Sequence, residues 1–227
     1  MKLYMQHNIG HRERARERLR CSKPGVMQDY EILEILLFMA IPRKDTKDLA
    51  KELITKYGSF AKVINAEYES LLEVKGVKEN TLACFQLIKE GATRLTRAEL
   101  TDKPIISSWQ SLLDYCRAVM GHLKKEVFLI IYLNNQNELI DEDLQEYGTV
   151  DQVSVYPREI TKRALFLNAS AIIMVHNHPG GNTKASKEDI EVTQHIANAL
   201  APFKIKIHDH IIISDKSFFS FKSEGLF

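Results

Sequence analysis

The chain has 227 residues, long enough for one large domain or two smaller ones. Hydrophobic residues make up 44% and charged residues 27%, a balance typical of a globular protein with an apolar core. The net charge of +1 excludes a protein that attracts nucleic acid through its overall charge. No apolar run is long enough to span a bilayer, and the N-terminus lacks the apolar stretch of a signal peptide. The three scattered cysteines favour a reducing compartment, so we expect a cytoplasmic protein with no membrane partner.

Residues 1–100 have the periodicity of helices, and no stretch there alternates convincingly with the period of two that strands require. Capping residues and helix breakers divide this part of the chain into segments. The predicted helices cover residues 11–20, 29–39, 47–57, a short segment after Ser59, 66–72 and 79–94. The sequence therefore predicts an all-α N-terminal domain over residues 1–100.

The composition changes after residue 100, where residues 101–108 are typical of a linker. Apolar runs rich in β-branched and aromatic residues then interleave with helical segments. The predicted strands cover residues 126–133, 138–146, 147–155, 171–176, 205–214 and 217–221, and the predicted helices 109–120, 157–167 and 186–200. Strands interleaved with helices predict an α/β sandwich over residues 101–227, so the whole chain belongs to the α+β or α/β class.

The clearest chemical pattern of the chain lies between residues 176 and 189. His176 and His178 stand at the end of a predicted strand, where side chains two residues apart point to the same face. After a Pro/Gly turn, Ser186 and Asp189 lie three residues apart at the start of a predicted helix, on one face. Two imidazoles and one carboxylate suffice for a catalytic zinc site and leave the fourth tetrahedral position for water. Bound zinc lowers the pKa of that water to about 7.

The same residues also have a purely structural interpretation. Ser186-x-x-Asp189 before an apolar helix is also the pattern of a capping box, and an isolated Ser-x-x-Asp is a cap far more often than a metal site. The Ser186 hydroxyl can cap the helix and still face a metal. A second His-x-His, His208 and His210, is expected on a strand with both side chains on one face. A fourth protein ligand would close a zinc site to water, so we favour a supporting or structural role for His210.

The spacing of His176-x-His178, seven residues, then Ser186-x-x-Asp189 is similar at every position to the JAMM (MPN+) metalloprotease motif. The surrounding sequence resembles the bacterial RadC family over nearly the whole chain. The matching stretches are residues 10–14, 29–34, 43–47, 156–159, 167–169 and 209–212, with Asn177 inside the histidine pair. Two places depart from the family's usual pattern: Gly180 stands where serine is usual, and Ala185 where proline is usual. The resemblance implies a JAB/MPN-type α/β sandwich, cytidine-deaminase-like in fold, with a mixed sheet.

The resemblance also implies roles for the site residues. It implies one Zn²⁺ held by His176, His178 and Asp189, with Ser186 stabilising an oxyanion. The motif requires an upstream glutamate as general base at the start of the domain's first strand, and Glu126 fits that place best. Glu159 is the alternative, although a glutamate in the first turn after Pro157 also suits the helix dipole. The implied activity is hydrolysis of a peptide or isopeptide bond in a protein or peptide substrate.

Residues 70–83 resemble a helix-hairpin-helix element, whose backbone N–H groups bind DNA phosphates without reading sequence. Such hairpins usually read Gly-hydrophobic-Gly, and here the third position is Lys78. Lys75, Gly76 and Lys78 are therefore candidate DNA contacts in residues 1–100, with a plain packing module as the alternative. The alternative function is a DNA-binding protein of repair or recombination, in which the metal domain is structural or binds a partner. A zinc nucleobase deaminase is excluded because its His-x-Glu and Pro-Cys-x-x-Cys signature is absent.

Overall fold

The structure is a computed structural model that describes residues 10–101, 103–146, 156–215 and 217–226. The chain divides into two compact units, residues 1–91 and 92–227. The division falls within a long helix, a short way before the boundary predicted between residues 100 and 101. Each unit has its own apolar core, so each is described separately.

Among the described residues of the first unit, all regular secondary structure is helical. Its helices are α1 (His11–Cys21), α2 (Asp29–Ala40), α3 (Lys47–Tyr57), α4 (Phe60–Ile64), α5 (Tyr68–Leu72) and α6 (Glu79–Ala98), the last of which crosses the division. Local chemistry fixes several ends: Gln28 and Glu31 form a capping box at α2, Gly58 ends α3 at φ 97°, and Ser59 caps α4. The predicted all-α character is confirmed. Helix α5 begins at Tyr68 and not at residue 66, and α6 continues beyond residue 94.

The second unit is built around a five-stranded sheet. Its strands are β1 (Val127–Leu133), β2 (Leu139–Glu146), β3 (Ala171–Asn177), β4 (Lys206–Ile213) and β5 (Phe218–Ser220). The strand order is β2-β1-β3-β4-β5, with β3 and β4 parallel and every other pair antiparallel. The predicted mixed sheet is therefore confirmed. The long connection from β3 to β4 contains a helix, as a parallel pair requires.

Helices cover both faces of this sheet. They are α7 (Trp109–Cys116), which continues into a π-helical turn (Arg117–Gly121), α8 (Pro157–Phe166) and α9 (Lys187–Leu200). Alternate residues of β1 enter different cores: Val127 and Leu129 pack with α7, whereas Phe128 and Ile130 pack with α8 and α9. The sheet lies between two helical layers, which confirms the predicted α/β sandwich.

Further details of the structure bear on the remaining sequence predictions. The predicted linker 101–108 contains a 3₁₀ turn (Ile105–Ser108), and Ile105 is buried while its N–H donates to the carbonyl of Asn137. The predicted strand over residues 147–155 lies outside the described residues. Among the described helices, none has the length and apolarity needed to cross a membrane. All three cysteines are free thiols.

Candidate metal centre

The first histidine lies near the C-terminal end of the central strand β3. His176 faces the layer of α8 and α9, and its ring stacks on Phe128 with centroids 5.7 Å apart and planes 4° apart. The strand's last residue is Asn177, yet the N–H of His178 still donates to the carbonyl of Ile213 on β4. The chain therefore stays extended through the histidine pair, and both imidazoles lie on the same face.

A tight turn then brings the chain back onto His178. The N–H of Gly181 donates to the carbonyl of His178, and Pro179 occupies the first inner position of this turn, where its fixed φ fits. Gly181 has φ 80°, a conformation that favours glycine. The result is that the carbonyl of Asn182 lies 2.7 Å from Nδ1 of His178. Since a carbonyl only accepts, Nδ1 carries a proton, and Nε2 is the nitrogen left to bind a cation.

Helix α9 supplies the carboxylate. Ser186 Oγ accepts the N–H of Asp189 at 3.0 Å, and Asp189 Oδ2 accepts the N–H of Ser186 at 2.8 Å. The capping box anticipated as the structural interpretation is thus present. It does not exclude the metal, because Asp189 Oδ1 lies 3.1 Å from Nε2 of His176 and Oδ2 lies 3.6 Å from Nε2 of His178. The carboxyl serves the cap and faces both imidazoles.

The donor set fits a tetrahedral cation. Nε2 of His176 and Nε2 of His178 are 3.0 Å apart, and the ligand atoms of both histidines and Asp189 lie within 4.8 Å of one another. Zinc bonds of about 2.0–2.1 Å place tetrahedral ligand atoms about 3.3 Å apart. Electron-pair donors converging at this spacing repel one another unless a cation or proton lies between them. A divalent cation is therefore the group that this donor set suits.

Burial and charge differ across the three donors. The side chain of His176 is 1% exposed, that of Asp189 14% and that of His178 18%, so access to the donors is from the side of His178 and Asp189. Burial raises the pKa of Asp189, but its contacts with His176 and Ser186 outweigh that effect and hold the pKa well below its usual range. The carboxyl is thus ionised, as a ligand must be.

The second His-x-His does not act as a pair. The β3–β4 register shifts at His208, so the alternation expected for His208 and His210 is interrupted there. His208 Nε2 contacts Asn137 Oδ1, whereas His210 Nε2 lies 2.8 Å from Nδ1 of His176. Complete burial is the main cause that lowers the pKa of His210 well below its usual value, and the nearby His176 adds to it, so the ring of His210 is neutral.

Asn177 holds the segment that carries Glu126. Its Oδ1 accepts the N–H of Val127 at 2.7 Å, and its Nδ2 donates to the carbonyls of Leu123 at 3.2 Å and Lys125 at 3.0 Å. Glu126 lies between two of these anchored residues and is exposed. Glu159 lies in the first turn of α8, where its side chain is 55% exposed and faces Arg158.

Two residues around the site have roles that the sequence did not predict. Asn177 is one of the family matches, and its place between two histidines at a strand end puts it on the opposite face from them. Thr193 follows Asp189 by four residues and so shares its helix face. Thr193 Oγ1 lies 2.6 Å from Nδ1 of His210.

A cleft of about 320 Å³ opens beside His178. Its walls are three loop segments at one end of the sheet, residues 121–124, 178–181 and 214–215. Of the three donor residues, His178 lines this cleft, so the cleft adjoins the donor set at that histidine.

The predicted DNA contacts lie in the turn between α5 and α6. Lys75, Gly76 and Lys78 are exposed, and Gly76 has φ 105°. A side chain added at Gly76 would contact Leu49 at 3.5 Å in addition to being strained. The turn is therefore tight and its two lysines face solvent.

Comparison with known proteins identifies the class that this fold and donor set define. A family model described as a RadC-like JAB domain matches residues 106–226, and one described as UPF0758 N-terminal matches residues 7–83. The C-terminal unit is thus a JAMM/MPN-type domain. A UPF0758 protein of Ruegeria pomeroyi is 45% identical over 215 residues, covering 95% of this chain and 96% of that protein. A UPF0758 protein of Rhodobacter capsulatus is 44% identical over 211 residues, covering 93% of this chain and 99% of that protein. The chain belongs to the RadC-like JAB-domain family, as the resemblance predicted.

Proposed function

We propose that this protein is a zinc-dependent hydrolase that cleaves peptide or isopeptide bonds. The observation that carries the proposal is the convergence of two imidazole Nε2 atoms and one ionised carboxylate beside an open cleft. A zinc ion bound there by His176, His178 and Asp189 supplies a Lewis acid that polarises a carbonyl and acidifies water. Three protein ligands, not four, are the pattern of catalytic zinc sites.

Glu126 is the general base in this proposal. The antiparallel register pairs Phe128 with His176, and continuing it by two residues pairs position 126 with His178. Strand alternation puts residue 126 on the same face as Phe128, which is the face of the donors. The bonds from Asn177 fix the backbone on both sides of it. Glu159 has no comparable anchor to the site, so we retain Glu126.

The side chains of Glu126 and Ser186 assist the steps of the hydrolysis. Glu126 accepts a proton from the attacking water, whose oxygen forms the new bond to the carbonyl carbon. The Ser186 hydroxyl donates to the developing oxyanion, since its bond with Asp189 uses it only as an acceptor. The C–N bond then breaks, and Glu126 returns the proton to the leaving amine.

A peptide-library experiment tests the activity. The zinc-loaded full-length protein is incubated with a random peptide library and with lysine-branched isopeptides, and the products are read by mass spectrometry. We expect cleavage that Asp189→Asn and Glu126→Gln abolish. A fully zinc-loaded protein that leaves both libraries intact, or cleavage that survives in Asp189→Asn, contradicts the proposal.

DNA binding by the first unit is the second candidate function. It is favoured by the tight turn at Gly76, which carries the exposed Lys75 and Lys78. The acidic Glu73 and Glu79 flank the same turn and weaken its attraction for phosphate. The full-length protein should bind duplex DNA more weakly as salt rises. The slope of log affinity against log salt concentration should decrease in magnitude by about 0.9 for each phosphate contact removed. Replacing both lysines by alanine should reduce that slope, whereas the exposed control Lys62→Ala should not. Failure of the full-length protein to bind duplex DNA at low salt would refute this second function.

A further inference from the structure

A chain of hydrogen bonds runs from helix α9 to the buried donor. His210 is fully buried, and its ring lies against Phe221 at 4.5 Å and Phe128 at 5.4 Å between centroids. Its Nε2 lies 2.8 Å from Nδ1 of His176, and its Nδ1 lies 2.6 Å from Oγ1 of Thr193. Thr193 Oγ1 also lies 2.6 Å from the main-chain carbonyl of Asp189. The imidazole of His210 and the hydroxyl of Thr193 therefore each contact two hydrogen-bonding partners.

The direction of every bond follows from the carbonyl at its end. A carbonyl oxygen only accepts, so the single proton of the Thr193 hydroxyl is donated to Asp189. That hydroxyl can then only accept from His210, whose Nδ1 therefore carries the proton. The ring of His210 is fully buried between Phe128 and Phe221, where a second proton would be a charge without water, so its Nε2 accepts from Nδ1 of His176. Nδ1 of His176 is thus committed to His210, and Nε2 is the nitrogen that faces Asp189 and His178.

We propose that Thr193 is a positioning residue that fixes the tautomer of His176 through His210, so that Nε2 of His176 is always ready to bind a cation. This inference rests on the metal centre of the proposed function. His178 needs no such chain, because a backbone carbonyl already fixes its tautomer. Nδ1 of His176 contacts His210 instead, and the carbonyl of Asp189 that directs the chain lies three hydrogen bonds away, through His210 and Thr193.

The chain also links the two halves of the donor set. Thr193 follows Asp189 by four residues, so its hydroxyl binds the backbone of the residue whose carboxylate faces His176. One hydroxyl thus ties the helix that supplies the carboxylate to His210 on β4, whose ring contacts the donor His176 on β3. Ordinary packing of a threonine against a histidine would not require its proton to point away from the ring.

The test reads the tautomers directly. Long-range ¹H–¹⁵N correlation spectra are recorded on the zinc-free full-length protein labelled with ¹⁵N-histidine. In the wild type we expect the proton on Nδ1 of both His176 and His210. In Thr193→Val we expect it to move to Nε2 in both rings, and zinc affinity, measured by chelator competition, to fall by about 10- to 100-fold. Thr193→Ser should restore both readouts.

A matched control separates this role from loss of a helical hydrogen bond. Thr161 on α8 donates to the carbonyl of Pro157 four residues earlier, as Thr193 does on α9, and Thr161→Val should change neither readout. A wild type in which Nδ1 of His176 carries no proton overturns the inference, as does a Thr193→Val protein with unchanged spectra and affinity. If Thr193→Val does not fold, the wild-type and Thr193→Ser spectra still decide. A wild type with the expected tautomers that takes up no zinc would refute the proposed function and leave the hydrogen-bond chain intact.

Discussion

Ser186 and Asp189 share a capping box, yet only one of them belongs to the donor set, and substitutions should separate the two duties. Ser186→Ala removes the oxygen that accepts the N–H of Asp189 and leaves all three metal donors in place. Asp189→Asn keeps an oxygen that can accept the N–H of Ser186 but replaces the anionic ligand by an amide. The first variant should lose helix stability and the second should lose metal binding.

The magnitudes follow from the contacts. Loss of an N-cap hydrogen bond costs about 1 kcal/mol, which lowers the melting temperature of a chain of this size by about 2–4 °C. Free zinc at about one hundred times its dissociation constant stabilises the folded protein by about 2.7 kcal/mol, or about 5–11 °C. Scanning calorimetry with and without zinc measures both quantities. Ser186→Ala should melt lower than the wild type and respond fully to zinc, whereas Asp189→Asn should show no zinc response.

The outcome that refutes this reasoning is a reversal of the two responses. A full zinc shift in Asp189→Asn would mean that the carboxylate is only a cap. A lost zinc shift in Ser186→Ala, with its helix intact by circular dichroism, would mean that the serine is itself a ligand.

Three further predictions concern the surroundings of the donors. Glu126→Gln should retain zinc and lower turnover by about 10²–10⁴-fold, whereas Glu159→Gln should keep turnover; the opposite pattern would make Glu159 the base. Asn177→Ala should lower the free energy of unfolding, measured by denaturant titration, by about 1–3 kcal/mol because the buried N–H of Val127 loses its acceptor; an unchanged midpoint would contradict the anchoring role. Gly181→Ala should weaken zinc binding in chelator competition because φ 80° is strained for alanine. A Cβ meets nothing within 4 Å at either Gly180 or Gly181, and only Gly181 has a positive φ, so equal affinities in Gly181→Ala and Gly180→Ala would refute that link.

The features that the sequence predicted well are those set by local sequence patterns. The helical first unit follows from runs of period 3.6, and the α/β sandwich follows from short apolar runs, rich in β-branched and aromatic residues, between helical segments; the structure confirms both. Strand alternation carries His176 and His178 to one face, and a helix start places Asp189 within reach of them. Ser186 could be assigned to a cap for the same reason, because capping depends on residues three apart.

What escaped prediction depends on partners far away in sequence. His210 reaches His176 only because β4 pairs in parallel with β3, and the register shift at His208 could not be read from alternating residues. Asn177 binds backbone groups some fifty residues earlier, at the start of β1. Ile105 is buried inside a segment whose composition is typical of a linker, because tertiary packing overrides local composition there.

The central claim is that one cation is held by two imidazoles and one carboxylate. X-ray absorption at the zinc K edge, combined with metal analysis of the full-length protein, tests it most directly. We predict about one zinc per chain with four nitrogen or oxygen ligands, scattering from two imidazoles in the wild type and from one in His178→Ala. A protein that retains no zinc after loading, or a spectrum without imidazole scattering, would contradict the account.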